Sequence, residues 1–454
     1  MKARGPLLGA LAAVAIGLLL FQTSLSIPII HDAAGYHRIG QQIWAQGLFT
    51  QWELSDLRTW AYPTFLGGLL KLAQSTGIAE RWLVFGVQLA AHLASVFALR
   101  AALHRAGIQR WIADSVFYVL LIHPFALIYP SYMLTESLSI SLGTAVLACA
   151  IGVLSDPRRQ VALAAVGGLL CGFMIAVRPA SMFMVPALLL AWVAVWFLRR
   201  PAGSKMLGMV AAGLLCFSLP LMPQLRNNIV YYGKTTVLVA APFAQGQQYI
   251  GILWLKYATS IEPHQDPQIK YLNPLAVDEP LAAKDPTAWY LRYPGRGVVT
   301  IAIHAFNLLD QDLPLPYNLT LIPTYYPVVS IANLAVVALG LTGLGVVVAG
   351  WPRRSAIEKW IIAIAVVTLV CHLGLHSLFS VEARYGVFAL VLLYAFAAIC
   401  GGWLILTAQH RARLLVSAFV VAFCIGGYFL STWVRWQALP IRAEILAASA
   451  RGHQ

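Results

Sequence analysis

Charge is what this sequence has least of. Only 11% of its 454 residues are Asp, Glu, Lys or Arg, and just 17 are acidic. Soluble domains carry about 25% charged residues, so a water-facing globule of this size is excluded. Cysteine pairing is missing as well. Cys149, Cys171, Cys216, Cys371, Cys400 and Cys424 all fall inside apolar runs, and none belongs to a CxxC pair. That excludes a disulfide scaffold and a thiolate metal site, and the six read as small buried apolar residues. Internal repeats and low-complexity tracts are also absent.

What is there is apolar. Hydrophobic residues make up 60% of the chain, and the mean hydropathy is +0.75. Runs of roughly 20 apolar residues recur, the length a helix needs to cross a bilayer. Eleven spans are expected: 6–30, 81–99, 111–129, 133–154, 161–177, 181–198, 206–223, 326–350, 357–379, 386–407 and 414–434. The first follows Lys2 and Arg4 and is too long for a signal h-region, so it reads as an uncleaved span. The fold class is therefore an all-α polytopic membrane protein with about eleven transmembrane helices.

The net charge of +14 would suggest a nucleic-acid partner in a soluble protein. Here its placement matters more. Basic clusters at Lys2/Arg4, Arg100/Arg105/Arg110, Arg158/Arg159, Arg199/Arg200/Lys205, Arg353/Arg354/Lys359 and Arg411/Arg413 fall in alternate loops. The positive-inside rule puts all six on the cytoplasmic side, with the N-terminus. No nucleic-acid partner is expected; membrane lipids are. The opposite face then carries most of the acids: Asp32, Glu53, Asp56, Glu136, Glu262, Asp266, Asp278, Glu279, Asp285, Asp310, Asp312 and Glu382.

Three regions follow. Residues 1–225 form an N-terminal transmembrane catalytic module with an outer loop at 31–80. Residues 226–325 form an outer cap, and 326–454 the C-terminal transmembrane helices. In the outer loop, Tyr36, Ile39, Ile43, Trp44 and Leu48 have helical spacing beside Gln41, Gln42 and Gln46, which predicts an amphipathic interfacial helix. The stretch 288–309 reads as a further interfacial helix or a twelfth span.

Chemistry is sought among charged residues that topology does not explain. Asp32 lies just past the first span, between an apolar wall and water, where a carboxylate can act as a base. It also suits an N-cap on Ala34 or Gly35. Arg58 lies on the outer face against the positive-inside bias. It can grip a phosphate with two N–H donors, or snorkel to ordinary headgroups. Glu136, in Leu134-Thr135-Glu136-Ser137, opens a span at the membrane boundary, where a carboxylate needs a partner or a task. Thr135 or Ser137 would cap that helix. Arg178-Pro179 sits pinned between two spans, and Arg226-Asn227 follows Pro220 and Pro223. His376 to Tyr385 gathers His376, Glu382, Arg384 and Tyr385 between two spans. Acids able to take a proton beside arginines able to hold phosphate suit transfer from a phosphate leaving group.

In this order these residues resemble the GT-C superfamily of membrane glycosyltransferases. The likeness is greatest to the branch of protein O-mannosyltransferases and the bacterial lipid A aminoarabinose transferase. Asp32 followed by Tyr36 resembles the family's first-loop acid and tyrosine-bearing helix. Arg58 to Tyr62-Pro63, Leu134-Thr135-Glu136, Arg178-Pro179, Arg226-Asn227 and Glu382-Ala383-Arg384-Tyr385 resemble its later motifs. The chain departs from the pattern at Ala33, where a second acid is common, and at Trp60-Ala61, where Pro or Gly is.

The resemblance implies a donor of polyprenyl-phosphate sugar, an acceptor on the outer face and a single inverting displacement. Asp32 would be the base; Arg58, Arg384 and Arg226 would hold the donor phosphate. Glu136, Arg178, Glu382, Tyr62, Tyr36 and Tyr385 would orient substrate. A monophosphate held by arginines needs no metal, and no cofactor is expected. A bacterial inner membrane, with the active site exoplasmic, is the expected location. An O-antigen ligase or polymerase, a lipid-carrier flippase and a purely structural subunit are the rival readings. The sugar stays open among hexose, pentose and amino sugar; the acceptor stays open among protein, lipid A, O-antigen and other glycolipids.

Overall fold

The computed structural model describes residues 4–25, 29–259, 268–312 and 326–437. Lys2, Glu262, Asp266, the stretch 313–325 and the tail beyond Gln437 lie outside the described residues.

The first part of the chain is helical. It runs through α1 (Arg4–Ser24), α2 (His31–Gln46), α3 (Ala61–Thr76), α4 (Glu80–Arg105), α5 (Arg110–Leu121), α6 (Pro124–Ile128), α7 (Thr135–Ser155), α8 (Gln160–Val177), α9 (Met184–Arg199), α10 (Gly203–Ser218) and α11 (Met222–Tyr232). The chain continues with α12 (Phe243–Leu253), β1 (Trp254–Thr259), β2 (Gln268–Leu272), α13 (Glu279–Lys284), α14 (Pro286–Arg292) and α15 (Pro294–Leu309). The chain then runs through α16 (Tyr326–Ala349), α17 (Ala356–Ser377), α18 (Val387–Leu406) and α19 (His410–Trp436).

Ten of the described helices are long and apolar enough to cross a membrane, and the bent pair α5–α6 makes eleven. The span count and the all-α polytopic class agree with the sequence pattern. Two boundaries differ. The span expected at 111–129 breaks by 43° between Leu121 and Pro124. Proline has no N–H to return to Leu120, so the helix cannot run through it. The Leu120 carbonyl is served instead by the His123 N–H at 3.3 Å and by His92 Nε2 of α4 at 3.2 Å. The span expected to end near 223 continues instead to Tyr232, through a 3₁₀ turn at Leu219–Leu221. Arg226-Asn227-Asn228 is therefore helical. The stretch 288–309 resolves into α14 and α15. At 16 residues α15 is short of a span, and it buries Gly297, Thr300, His304, Asn307 and Leu308 on one face.

Three of the six cysteines, Cys149, Cys171 and Cys400, are buried as expected; Cys216, Cys371 and Cys424 are half-buried.

The chain divides into two compact units. One comprises Met1–Ala241, Gly343–His372 and Tyr394–Gly402; the other comprises Pro242–Thr342, Leu373–Leu393 and Trp403–Gln454. In the first unit, α8 lays Gly168 and Gly172 against the backbone of α10 at Gly213 and Phe217. Small residues four apart let membrane helices approach this closely.

The same device joins α2 to α3. A Cβ on Gly40 would lie 2.7 Å from the Pro63 carbonyl oxygen and 3.0 Å from the Gly67 nitrogen. Trp44 Nε1 donates to the Thr64 carbonyl at 2.8 Å across the same contact. Helix propensity alone makes Gly→Ala stabilising by about 0.5–1 kcal/mol. Gly40→Ala is expected to reverse that sign and lower the thermal unfolding midpoint, because overpacking costs about 1–3 kcal/mol. Gly86→Ala in α4, with nothing within 4 Å, is the control and should not lower it. Equal midpoints for the two variants would show that the α2–α3 contact is loose.

The second unit has its own core. Leu255, Ala258, Tyr271, Ile303 and Val434 cluster with Leu275 and Leu430. The two strands form an antiparallel ribbon with a register shift between Trp254 and Lys256, so this segment adds a short sheet to the helices.

Candidate active site

Asp32 lies in the first turn of α2, whose N-cap is Ile30, with no side chain capping the helix. The cap role is thus not the one Asp32 plays. Its carboxylate instead accepts a short hydrogen bond from Arg58 Nη2. Arg58 Nη1 donates to Tyr36 Oη at 2.9 Å, and its guanidinium stands 4.9 Å from the Tyr36 ring centre. Tyr36 follows Asp32 by four residues, so both leave one face of α2. The Tyr36 ring then meets Tyr62 of α3 edge-on, with centroids 5.0 Å apart. The Gly40 contact holds the two helices in the register that makes this pairing.

Glu136 opens α7, where Leu134 is the N-cap and neither Thr135 nor Ser137 caps. Its carboxylate takes an ion pair from Arg178 Nη1 at 2.8 Å and a hydrogen bond from Thr135 Oγ1 at 3.3 Å. Arg178 is placed by the end of α8, just before Pro179 starts a 3₁₀ turn. Burial pushes the Tyr36 hydroxyl pKa up; Arg58 and Arg178 pull it down, while Asp32 and Glu136 add to the rise. Tyr62 is raised well above its ordinary value by burial, then by Tyr36 and Glu136. Its Oη is buried without a hydrogen-bond partner among the described residues. Both phenols therefore stay protonated, and Tyr62 keeps an O–H to offer. Arg58 has its pKa raised by Tyr36 and Asp32 against desolvation, so it stays charged. Asp32, Tyr36, Arg58, Tyr62, Glu136 and Arg178 thus form one electrostatic cluster within the first unit.

Arg226 is held elsewhere in that unit. It is exposed, 4.7 Å above the Phe49 ring, and donates to the Phe49 carbonyl at 3.2 Å. Gln224, Asn227 and Asn228 are fully buried on α11. Asn227 donates to the Leu48 carbonyl at 3.1 Å and Gln224 to that of Ser55 at 3.5 Å. Tyr231 donates to Phe49 at 2.8 Å, and Tyr232 bonds Ser55. Trp60 Nε1 donates to the Pro220 carbonyl at 2.9 Å. This amide-rich helix fixes the loop from 48 to 60 that carries Arg58. The Arg-Asn-Asn run was visible in the sequence; its loop-binding role was not.

In the second unit, Arg384 Nε donates to Glu382 Oε2 at 2.6 Å, and both side chains are buried. The Arg384 guanidinium lies 5.3 Å from the Tyr385 ring, and Tyr385 Oη bonds Tyr257 Oη. The His376 ring stands 6.4 Å from that of Tyr385. Burial raises the Tyr257 hydroxyl pKa, with Tyr385 and Glu382 adding and Arg384 opposing. Tyr257 was not foreseen.

Nor was a buried ionic cluster in the same unit. Lys256 binds Asp312 directly and lies 4.0 Å from Asp310. Ser330 and Ser431 donate to Asp310 at 2.6 and 2.5 Å, and Arg435 stands 3.4 Å from Asp312. Among the described residues, no three His, Cys, Asp or Glu side chains gather to hold a metal ion.

No protein-family model and no curated protein sequence matches the chain. Solved structures do match. The oligosaccharyltransferase of Archaeoglobus fulgidus in complex with zinc and sulfate superposes with a TM-score of 0.52 at 13% identity, over 95% of this chain and 52% of that one. Its apo form gives 0.53 at 14%, over 96% and 56%. The same enzyme, AglB, with an inhibitory peptide and a dolichol-phosphate gives 0.51 at 11%, over 96% and 56%. This chain has the GT-C fold. The GT-C likeness runs through nearly all of the chain but only about half the length of those structures. At such identity, residue roles in this protein rest on its own geometry.

Proposed function

We propose that this protein is a glycosyltransferase of the branch that includes protein O-mannosyltransferases and the lipid A aminoarabinose transferase. It moves a sugar from a polyprenyl-phosphate carrier to an acceptor hydroxyl at the outer face of a bacterial inner membrane, with its N-terminus cytoplasmic. The observation that carries the reading is the Asp32–Arg58–Tyr36 constellation at the start of α2, in a chain with the GT-C fold.

In the proposed step, the acceptor oxygen attacks the anomeric carbon from the face opposite the phosphate. The bond from that carbon to the phosphate oxygen breaks, and the phosphate leaves with the electron pair. Asp32 takes the acceptor proton, a role that requires hydrogen-bond reach. Arg58 meets the charge growing on the phosphate, the kind of fixed stabilisation that is usually the largest catalytic contribution. Glu136 fixes Arg178, and Tyr62 and Tyr36 offer hydroxyls to the sugar; Glu382 and Tyr385 orient Arg384. Arg226 acts on the loop through Phe49. One carboxylate opposite the leaving group gives inversion, by analogy with glycoside hydrolysis.

The test is mass analysis of lipid-linked sugars and envelope glycans from cells with and without the gene. The expected result is that deletion accumulates one polyprenyl-phosphate sugar and removes the matching sugar from one acceptor. Purified protein in nanodiscs should release polyprenyl phosphate from that lipid. Movement of the lipid across the bilayer without a covalent product would make the protein a transporter instead.

A further inference from the structure

Each arginine paired above with a site carboxylate has a different exposure. The Glu382–Arg384 side chains are 6% and 6% exposed, and Glu136–Arg178 are 4% and 17%. Asp32 and Arg58 are 28% and 30% exposed, the most open of the three pairs. The Arg58 fork is also fully committed toward α2, with Nη2 on Asp32 and Nη1 on Tyr36. Its backbone is held independently, Arg58 N–H bonding the Leu54 carbonyl at 2.8 Å within a loop that α11 fixes. The side chain can thus change partner while the loop stays in place.

We infer that Asp32 occupies the phosphate seat of Arg58 until the donor arrives, so that donor phosphate and the Asp32 carboxylate compete for one guanidinium. A carboxylate and a phosphate present the same pair of acceptor oxygens to a guanidinium fork. The inference rests on the proposed lipid-phosphate donor.

The test measures binding of undecaprenyl phosphate to the full-length protein in nanodiscs, with folding checked by size exclusion. Asp32→Asn is expected to bind about 10-fold tighter than wild type, since it removes one charge-assisted competitor. Glu136→Gln removes the same formal charge from the same cluster and should tighten binding clearly less. Arg58→Ala should lose binding. Equal tightening by Asp32→Asn and Glu136→Gln would reduce the effect to a general field and overturn the inference. Unchanged or weaker binding by Asp32→Asn, with Arg58→Ala still defective, would also overturn it while leaving the proposed function standing. Wild-type binding by Arg58→Ala would remove Arg58 from phosphate recognition and overturn both.

Discussion

Under the proposed function, Asp32→Asn is expected to lower the rate of sugar transfer at saturating donor by about 10²- to 10⁴-fold, the range for loss of a positioned general base. The substitution is close to isosteric. An asparagine oxygen still accepts from Arg58, and no helix cap is lost because Ile30 holds that position. The loss therefore falls on turnover and not on folding or on donor affinity, which the same variant increases. Single-turnover product formation from the accumulated lipid-linked sugar is the measurement, with the thermal midpoint as the folding control. A variant that folds, binds donor and transfers at the wild-type rate would remove Asp32 from the chemistry.

Lys256→Met destabilises the protein by about 3–5 kcal/mol, the range for breaking a buried charge cluster by deleting one partner. Methionine fits the stem of Lys256 but leaves Asp312 with Arg435, and Asp310 with two hydroxyl donors, Ser330 and Ser431. The pH dependence has a definite sign. Burial raises the Asp310 pKa above its unfolded value, and Asp312 raises it further, while Lys256 and the two serines oppose. Removing Lys256 lets it rise more. The native state then binds a proton that the unfolded chain does not, so stability falls as pH rises through that window and returns on acidification. Thermal midpoints of wild type and variant across acidic to neutral pH give the answer. Lys256→Met combined with Asp312→Leu should recover most of the loss. A pH-independent deficit would show that packing, not charge, holds this region.

The sequence made some of this visible. Apolar runs of span length are local, so the helix count could be read directly, including the first span. Asp32 and Tyr36 are four residues apart, and the helix that joins them was legible from Ile39 and Ile43. What the sequence left open was the task of Asp32, because an N-cap and a base use the same residue at the same kind of boundary. The position of Ile30 at the N-cap removes the first of these. Pro220 and Pro223 look like the end of a helix; a 3₁₀ turn carries the chain past Pro220, and Pro223 sits in the first turn of α11, so Arg226 is helical. Lys256, Asp310, Asp312 and Arg435 are brought together over long sequence separations by the β1 ribbon and α19. No periodicity encodes such a meeting. A lone lysine between Leu255 and Tyr257 was the one available hint.

The break between α5 and α6 has a consequence for biogenesis. Inside hydrocarbon a carbonyl without a donor costs several kcal/mol, and Pro124 creates that demand at Leu120. The imidazole of His92, which shares in meeting it, belongs to α4 and is translated first. The helix that braces the bend is already synthesised when the bend leaves the ribosome, so this pair of segments is ordered for insertion in the sequence in which it is made.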